Sequence, residues 1–384
     1  IWCYLVVDNL KYDKIMKNKA RVIAWYLPQF HPIKENDETW GKGFTEWTNV
    51  AQARPLFKGH YQPRIPADLG FYDLRMSEIR EEQARMAQDA GIEGFMYWHY
   101  WFGDGKMLLE KPLEWVLESG KPNFPFCFGW ANHSWSTKTW KKGGVTQAPK
   151  MIAEMKYLGE KDNRLHFDYC LKFFKDPRYI RVDNKPLFVI YSPYTFVGIE
   201  ELIEQWNRWA KEEGLDGIYF VGNSLERKIS IDGLLKMGFD AVSNNMRFFA
   251  EAKSKVVKSE FAQKVRRKLS EKFGLPTMVF DYWKVVKNME CDDNKRENCF
   301  PVITPGYDRT ARAGKAAKIY KNATPEKFKQ HVHDMLEAVK DKSSEHKIIF
   351  LDSWNEWGEG NYMEPDLKYG HAFLEALKSE IVEP

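Results

Sequence analysis

The sequence predicts an α/β protein, a single (β/α)8 barrel of the TIM type with long βα loops, and three observations predict it. Eight short apolar, β-branched or aromatic runs recur along the 384 residues. Polar segments with helical periodicity separate them, and no Pro-, Gly- or Ser-rich linker divides the chain. Alternating strand and helix implies parallel pairing, because a right-handed helical crossover returns the chain to the same end of the sheet. Eight repeats favour closure, and single barrels with insertions reach this length.

The runs are residues 22–27, 94–100, 126–130, 187–191, 218–222, 241–244, 301–304 and 348–352. Between them, residues 73–90 put Met76, Ile79, Met86, Ala87 and Ala90 on one face and stop at Gly91, where a left-handed residue closes a helix at little cost. Residues 201–213 repeat the pattern with Leu202, Ile203, Trp206 and Trp209, ending at Gly214. Thr324 before Pro325 reads as an N-cap and a first-turn proline, and Phe328, Val332, Met335, Leu336 and Val339 then carry a buried stripe. Residues 1–20 stand apart as an N-terminal extension, and 21–384 form the catalytic barrel.

Composition narrows the function. A net charge of +4, from 58 basic and 54 acidic residues, is too mild for a nucleic-acid partner, and the basic run 264–268 reads as a solvated helix face. The apolar stretch 1–7 is too short to span a bilayer. Five scattered cysteines without a CxxC pair indicate neither a disulfide framework nor a zinc site, which fits a reducing, cytoplasmic setting. The chain begins at Ile1 without Met, so a removed leader stays open. The 15 Trp are an excess that a large core or a sugar cleft explains, since flat aromatic faces cover the C–H faces of pyranose rings.

Barrel active sites lie where the strands end, so the residues leaving each run are the ones that can do chemistry. Here they are Gln29, Phe30 and His31; residues 97–101, Tyr-Trp-His-Tyr-Trp; Trp130, Asn132, His133 and Trp135; Tyr191; Asn223; Asn244 and Asn245; Tyr307, Asp308 and Arg309; and finally Trp354, Asn355, Glu356, Trp357 and Glu359. The candidate sugar contacts among them are Gln29, His31, Tyr97, His99, Trp101, Trp130, Asn132, Trp135, Tyr191, Asn223, Tyr307, Trp354, Asn355 and Trp357. Taken singly, each is more often a packed, hydrogen-bonded residue; converging on one face, they make a polar, aromatic-walled cleft. At least two of Trp47, Trp101, Trp130 and Trp135 are expected as exposed walls of it.

The sharpest element is the stretch 352–360, Asp-Ser-Trp-Asn-Glu-Trp-Gly-Glu-Gly, with two carboxylates three residues apart just past the last strand. That spacing puts both on one turn. Glycosidases need such a pair, one neutral to protonate the leaving oxygen and one charged to act as base or nucleophile. Neighbouring carboxylates push their pKa values apart, which keeps one protonated near neutrality. Acids favoured by a helix N-terminus are the bland alternative. No HExxH or spaced His/Cys set occurs, His331 and His333 face different ways on a helix, and the acidic loop 291–297 lacks calcium spacing, so neither a metal nor a cofactor is expected. Glycine-rich phosphate cradles and a strand-end DxD pair are missing from the sequence too.

The stretches Val22-Ile-Ala-Trp-Tyr-Leu-Pro-Gln-Phe-His-Pro32, Trp40-Gly-Lys-Gly-Phe-Thr-Glu-Trp-Thr-Asn49 and Gly59-His-Tyr-Gln-Pro63, with the terminal Ser353-Trp-Asn-Glu-Trp-Gly-Glu-Gly360, resemble the WbsX-type domain over about residues 21–378. That family occurs in bacterial O-antigen gene clusters and is often labelled a glycosyltransferase. Its barrel is similar to glycoside hydrolase family 99, the endo-α-mannosidases, which the segment Pro305-Gly-Tyr-Asp-Arg-Thr-Ala-Arg312 also resembles. The resemblance implies a retaining glycoside hydrolase-like enzyme acting on an oligosaccharide or polysaccharide. Glu356 would be the base on the sugar 2-hydroxyl and Glu359 the acid/base at the glycosidic oxygen, with Tyr307 and Arg312 flanking the reacting sugar. The alternatives are a glycosyltransferase or transglycosidase of O-antigen or capsule assembly, and a non-catalytic glycan-binding barrel.

Overall fold

The computed structural model describes residues 17–137, 150–224, 230–255, 264–265, 268, 272–273 and 275–383. The apolar stretch 1–7 and residues 266–267 of the basic run 264–268 lie outside these residues. Eight strands form the barrel: β1 Arg21–Tyr26, β2 Gly94–Trp101, β3 Phe126–Trp130, β4 Lys185–Ile190, β5 Tyr219–Asn223, β6 Ala241–Asn244, β7 Cys299–Ile303 and β8 Ile348–Leu351. Each is parallel to its neighbours in chain order, and β1 pairs with both β2 and β8, which closes the sheet. The eight sequence runs therefore coincide with the eight barrel strands to within two residues.

Helices cover the barrel where the periodicity put them. Ser77–Asp89 buries Met86 and Ala87, Ile199–Glu212 buries Leu202, Ile203, Trp206 and Trp209, and Pro325–Val339 buries all five residues of its expected stripe. The hydroxyl of Thr324 caps the last of these, accepting from Lys327 N at 3.4 Å. On that helix His331 is buried and His333 pairs with Glu380 at the surface. The four described cysteines are unpaired. Among the described residues no helix is long and apolar enough to cross a membrane.

Successive strand residues point to opposite faces, and here both faces are covered. On β1, Tyr26 points out and its hydroxyl donates to Gln83 of the helix Ser77–Asp89 at 2.7 Å, whereas Trp25 points into the barrel and meets Trp98 of β2 edge-on, ring centres 5.2 Å apart. Trp98 meets Tyr191 in the same way at 5.4 Å. A run of aromatic rings thus crosses the interior and forms the floor beneath the mouth. Across the seam, the Asn355 side chain accepts from Leu27 N at 2.7 Å and donates to Leu27 O at 3.0 Å, joining the exit of β1 to that of β8.

Candidate active site

A cavity of about 350 Å³ opens at the C-terminal ends of the strands, above that aromatic floor. Its polar wall is built by the exits of β6, β7 and β8. After β8 the chain makes a tight hairpin, with Asn355–Glu356 antiparallel to Asn361–Tyr362 and a single 3-10 turn, Trp357–Glu359, between them. Gly360 closes the turn at φ 57°, a left-handed conformation that favours glycine. A 3-10 turn stacks residues three apart, so Glu356 and Glu359 come out on one side, both into the cavity.

One guanidinium grips both acids. Arg312 donates from Nη2 to Glu356 Oε2 at 2.9 Å and from Nη1 to Glu359 Oε1 at 2.8 Å. Two oxygens held so by one guanidinium lie closer than about 9 Å, the wide end of inverting pairs. The rest of the fork is taken by Glu46, fully buried on the helix Glu46–Gln52: Nε donates to its Oε1 at 2.8 Å and Nη2 to its Oε2 at 3.2 Å. Glu359 has a further cation, Arg309 Nε, at 3.2 Å. Beside them Arg247 donates to Asp352 at 3.3 Å and lies 4.3 Å over the ring of Tyr307.

These neighbours split the two acids. Burial pushes the Glu356 carboxyl up to about 8; Arg312 opposes the shift, and the charges of Glu359 and Glu46 reinforce it. Burial pushes Glu359 up as well, but Arg309, Arg312 and Arg247, with a hydrogen bond from Tyr307, outweigh it and hold that carboxyl at about 2. Burial and like charge thus favour the proton on Glu356, and the surrounding cations favour the charge on Glu359.

Gly358, between the acids, has no room for a side chain. A Cβ there would stand 1.6 Å from Glu46 Oε1 and 2.8 Å from Arg312 Nε. Gly358→Ala is expected to push Glu46 off the guanidinium and to destabilise the fold by roughly 1–3 kcal/mol, read as a lowered Tm. A Tm equal to wild type would show that the turn yields freely.

Of the residues expected from the sequence, Gln29, Trp135, Tyr191, Tyr307, Arg312, Glu356 and Glu359 line the cavity. The others pack elsewhere. Tyr97, His99 and Trp101 occupy the outward face of β2: Tyr97 lies 4.4 Å from the Tyr26 ring, His99 Nε2 is 2.8 Å from His166 Nε2, and Trp101 stacks on His166 at 4.6 Å. Trp130 points out of β3 and donates to Trp101 O at 3.0 Å. Asn132 stitches a loop, donating to Ser192 O at 2.9 Å and accepting from Ser192 N at 2.7 Å. His31 lies edge-on to Trp115, Trp47 donates to Tyr72 O at 2.7 Å, and Asn223 is buried at the end of β5. Trp354 packs on Phe95 at 5.2 Å, Asn355 holds the seam, and Trp357 stacks on Tyr362 at 3.7 Å. The expectation of two exposed walls among Trp47, Trp101, Trp130 and Trp135 is corrected to one, Trp135, because the other three face the helices or the first loop.

In their place stand Trp98, Tyr100, His133 and Arg309, strand-exit residues outside the candidate contacts, and Trp25, Arg247, Phe248 and Lys318, which the strand exits did not offer; all line the cavity, with Glu46 behind it. Trp98 and Tyr100 are the alternate residues of the same β2 run. Among the described residues one cluster has atoms close enough to share a metal, His99, His166 and Cys170, on the outer side of the wall. The 2.8 Å contact between its imidazoles is a hydrogen bond in which one nitrogen donates and the other accepts, and burial drives both rings toward the neutral form.

The family described as glycosyltransferase WbsX matches residues 22–377. Two proteins named "Uncharacterized protein WxcX", from two strains of Xanthomonas campestris pv. campestris, are each 33% identical over 374 residues, covering 94% of this chain and 50% of their own length. The chain thus spans about half the length of these curated relatives. A solved structure called a glycoside hydrolase-like protein superposes with a TM-score of 0.60 at 13% identity, covering 96% of each chain. The family 99 endo-α-mannosidase of Bacteroides thetaiotaomicron, solved with bis-tris-propane, does so at 0.54 and 15% identity, covering 94% of this chain and 95% of that one. At such identities these likenesses speak for the fold.

Proposed function

Since this chain belongs to the glycosyltransferase WbsX family and has the barrel of glycoside hydrolase-like proteins, we propose that it cleaves a glycosidic bond within a bacterial surface polysaccharide, using Glu356 and Glu359. The observation that carries this reading is the carboxyl pair held on one guanidinium and facing the cavity, in surroundings that shift the two acids in opposite directions. Glu356 gives its proton to the glycosidic oxygen as the bond breaks, and Glu359 serves as base or nucleophile at the sugar. This polarity is the reverse of the one that the family 99 resemblance implies. Arg312 holds the pair in place, and the inward rings of Trp98, Tyr100 and Trp135 offer faces to the sugars.

The family's description favours a second reading, in which the same pair passes the sugar to a hydroxyl of an acceptor glycan instead of to water. Incubating the protein with the polysaccharide assembled by its own gene neighbourhood separates the two. Cleavage yields new reducing ends, whereas transfer yields longer chains without them. Turnover is expected to fall as pH rises through about 8, where Glu356 loses its proton. A rate that keeps climbing past that pH would remove Glu356 as the acid.

A further inference from the structure

On the far side of the acid-bearing turn lies a second, larger cleft of about 960 Å³. The wall between it and the catalytic cavity is two strand exits. Tyr307 and Arg309 face the catalytic cavity while Asp308 faces the second cleft, and Glu359 faces the cavity while Gly360 faces the cleft. The backbone clamps this wall, Asp308 N donating to Glu359 O at 2.5 Å.

The cleft has cations to spare. Lys58, Arg64, Lys321, Lys327 and Lys368 line it. Its acids are Asp308, Glu364 and Asp366, all buried and already committed. Asp308 accepts from His60 at 2.7 Å and from Gln62 at 2.9 Å; Glu364 from Gln83 at 2.6 Å and Tyr72 at 3.0 Å; Asp366 from Tyr362 at 2.6 Å and from the backbone of Lys368 and Tyr369. Among the described residues no carboxylate lies within ion-pair distance of Lys58, Lys321 or Lys368, whereas Arg64 is already engaged, its Nη2 3.7 Å from Asp308 and its Nη1 donating to Gly360 O at 3.3 Å. Lys327 donates only to a backbone oxygen, that of Asn322, at 2.8 Å.

The same cleft has aromatic faces. Lys368 Nζ stands 4.9 Å from the ring of Tyr61 and 4.7 Å from that of Tyr369. Arg64 lies 5.7 Å over Tyr61. Rings that can cover the C–H face of a sugar, set among ammonium groups that have no carboxylate partner, suit a sugar carrying negative charge. A neutral glycan would use the rings and leave the cations without partners.

We propose that this second cleft is a subsite for negatively charged sugar residues of the glycan processed next door, so that the substrate is an acidic polysaccharide lying across the wall formed by Tyr307–Arg309 and Glu359–Gly360. The proposal rests on the reading of the first cavity as a glycan site and adds the substrate's charge. The anion is a carboxylate on the sugar or a phosphate linked to it, both of which a ring of Lys and Arg accepts.

The test is calorimetric titration of the intact chain with three probes, oligogalacturonate, a phosphomannan fragment and neutral mannan fragments. Wild type is expected to hold at least one acidic probe more tightly than neutral mannan, and the tighter of the two identifies carboxylate or phosphate. That preference should shrink with added salt. Lys321→Glu/Lys368→Glu, both at exposed positions, should weaken the acidic probe by about tenfold or more and leave neutral binding and the melting temperature unchanged. Equal affinity for acidic and neutral probes overturns the proposal, as does a charge-reversed protein that binds the acidic probe like wild type. Turnover plays no part in these readouts, so binding without catalysis, or catalysis on a neutral glycan alone, tells failure of one reading from failure of the other.

Discussion

Glu356→Gln and Glu359→Gln are each expected to lower turnover by about a hundred- to ten-thousand-fold, the usual worth of a positioned proton-transfer group. Glutamine keeps the shape of the side chain and its hydrogen bond from Arg312 while removing the proton or the charge, so binding of the glycan should survive. The two variants should separate when the leaving group is made good, as in an aryl glycoside. Such a substrate leaves without protonation, and the proton-bearing acid becomes dispensable. The opposite shifts of the pair favour the proton on Glu356, so the activated substrate should restore Glu356→Gln and not Glu359→Gln. Rescue of Glu359→Gln alone would reassign the roles to those the family 99 resemblance implies. Wild-type rates in either variant would falsify the site.

Arg312→Met should be the most destabilising substitution near the cavity. It leaves Glu46, Glu356 and Glu359 in one buried space without the cation they share. Breaking a buried ion network by removing one partner costs about 3–5 kcal/mol. The loss should depend on pH in a definite direction. Without the guanidinium, burial and like charge raise the Glu356 carboxyl unopposed, so the folded form takes up a proton and the variant recovers stability as pH falls. Adding Glu46→Gln should return part of the loss, because one of the stranded charges is gone. Thermal melts of the three proteins at two pH values check this, and an Arg312→Met protein that melts like wild type at neutral pH would mean the network holds little.

The fold was legible because its signals are local. Runs such as 126–130 and 241–244 are bounded by polar segments, and stripes such as Leu202, Ile203, Trp206 and Trp209 repeat at helical spacing, so both can be read from adjacent residues. The acid pair was legible for the same reason, being three residues apart on one turn. The cleft walls were not. In β2 every residue from Tyr97 to Trp101 is aromatic or His, because the strand is covered by helices outside and by the barrel interior inside. With no polar alternation to set the phase, Tyr97, His99 and Trp101 were read inward when the inward residues are Trp98 and Tyr100. Trp130 failed in the same way on β3. Glu46 stayed hidden for another reason, since its partner Arg312 is 266 residues away and no periodicity reports a pairing of that span.

That span also governs when the protein can become active. The carboxylate that steadies Arg312 comes from the loop after β1, the arginine from the segment after β7, and the acids from the turn after β8. The Leu27–Asn355 bonds that bring the first and last strands together span 328 residues. Contacts of such separation form late, once the intervening chain has given up its freedom. A folding chain can therefore bury most of its helices and still lack the proposed active site, because the acid pair sits on the seam that joins the first and last strands. Appearance of turnover during refolding should accordingly trail the recovery of helical signal and coincide with the final step of ring closure, which makes the enzyme a reporter of its own completion.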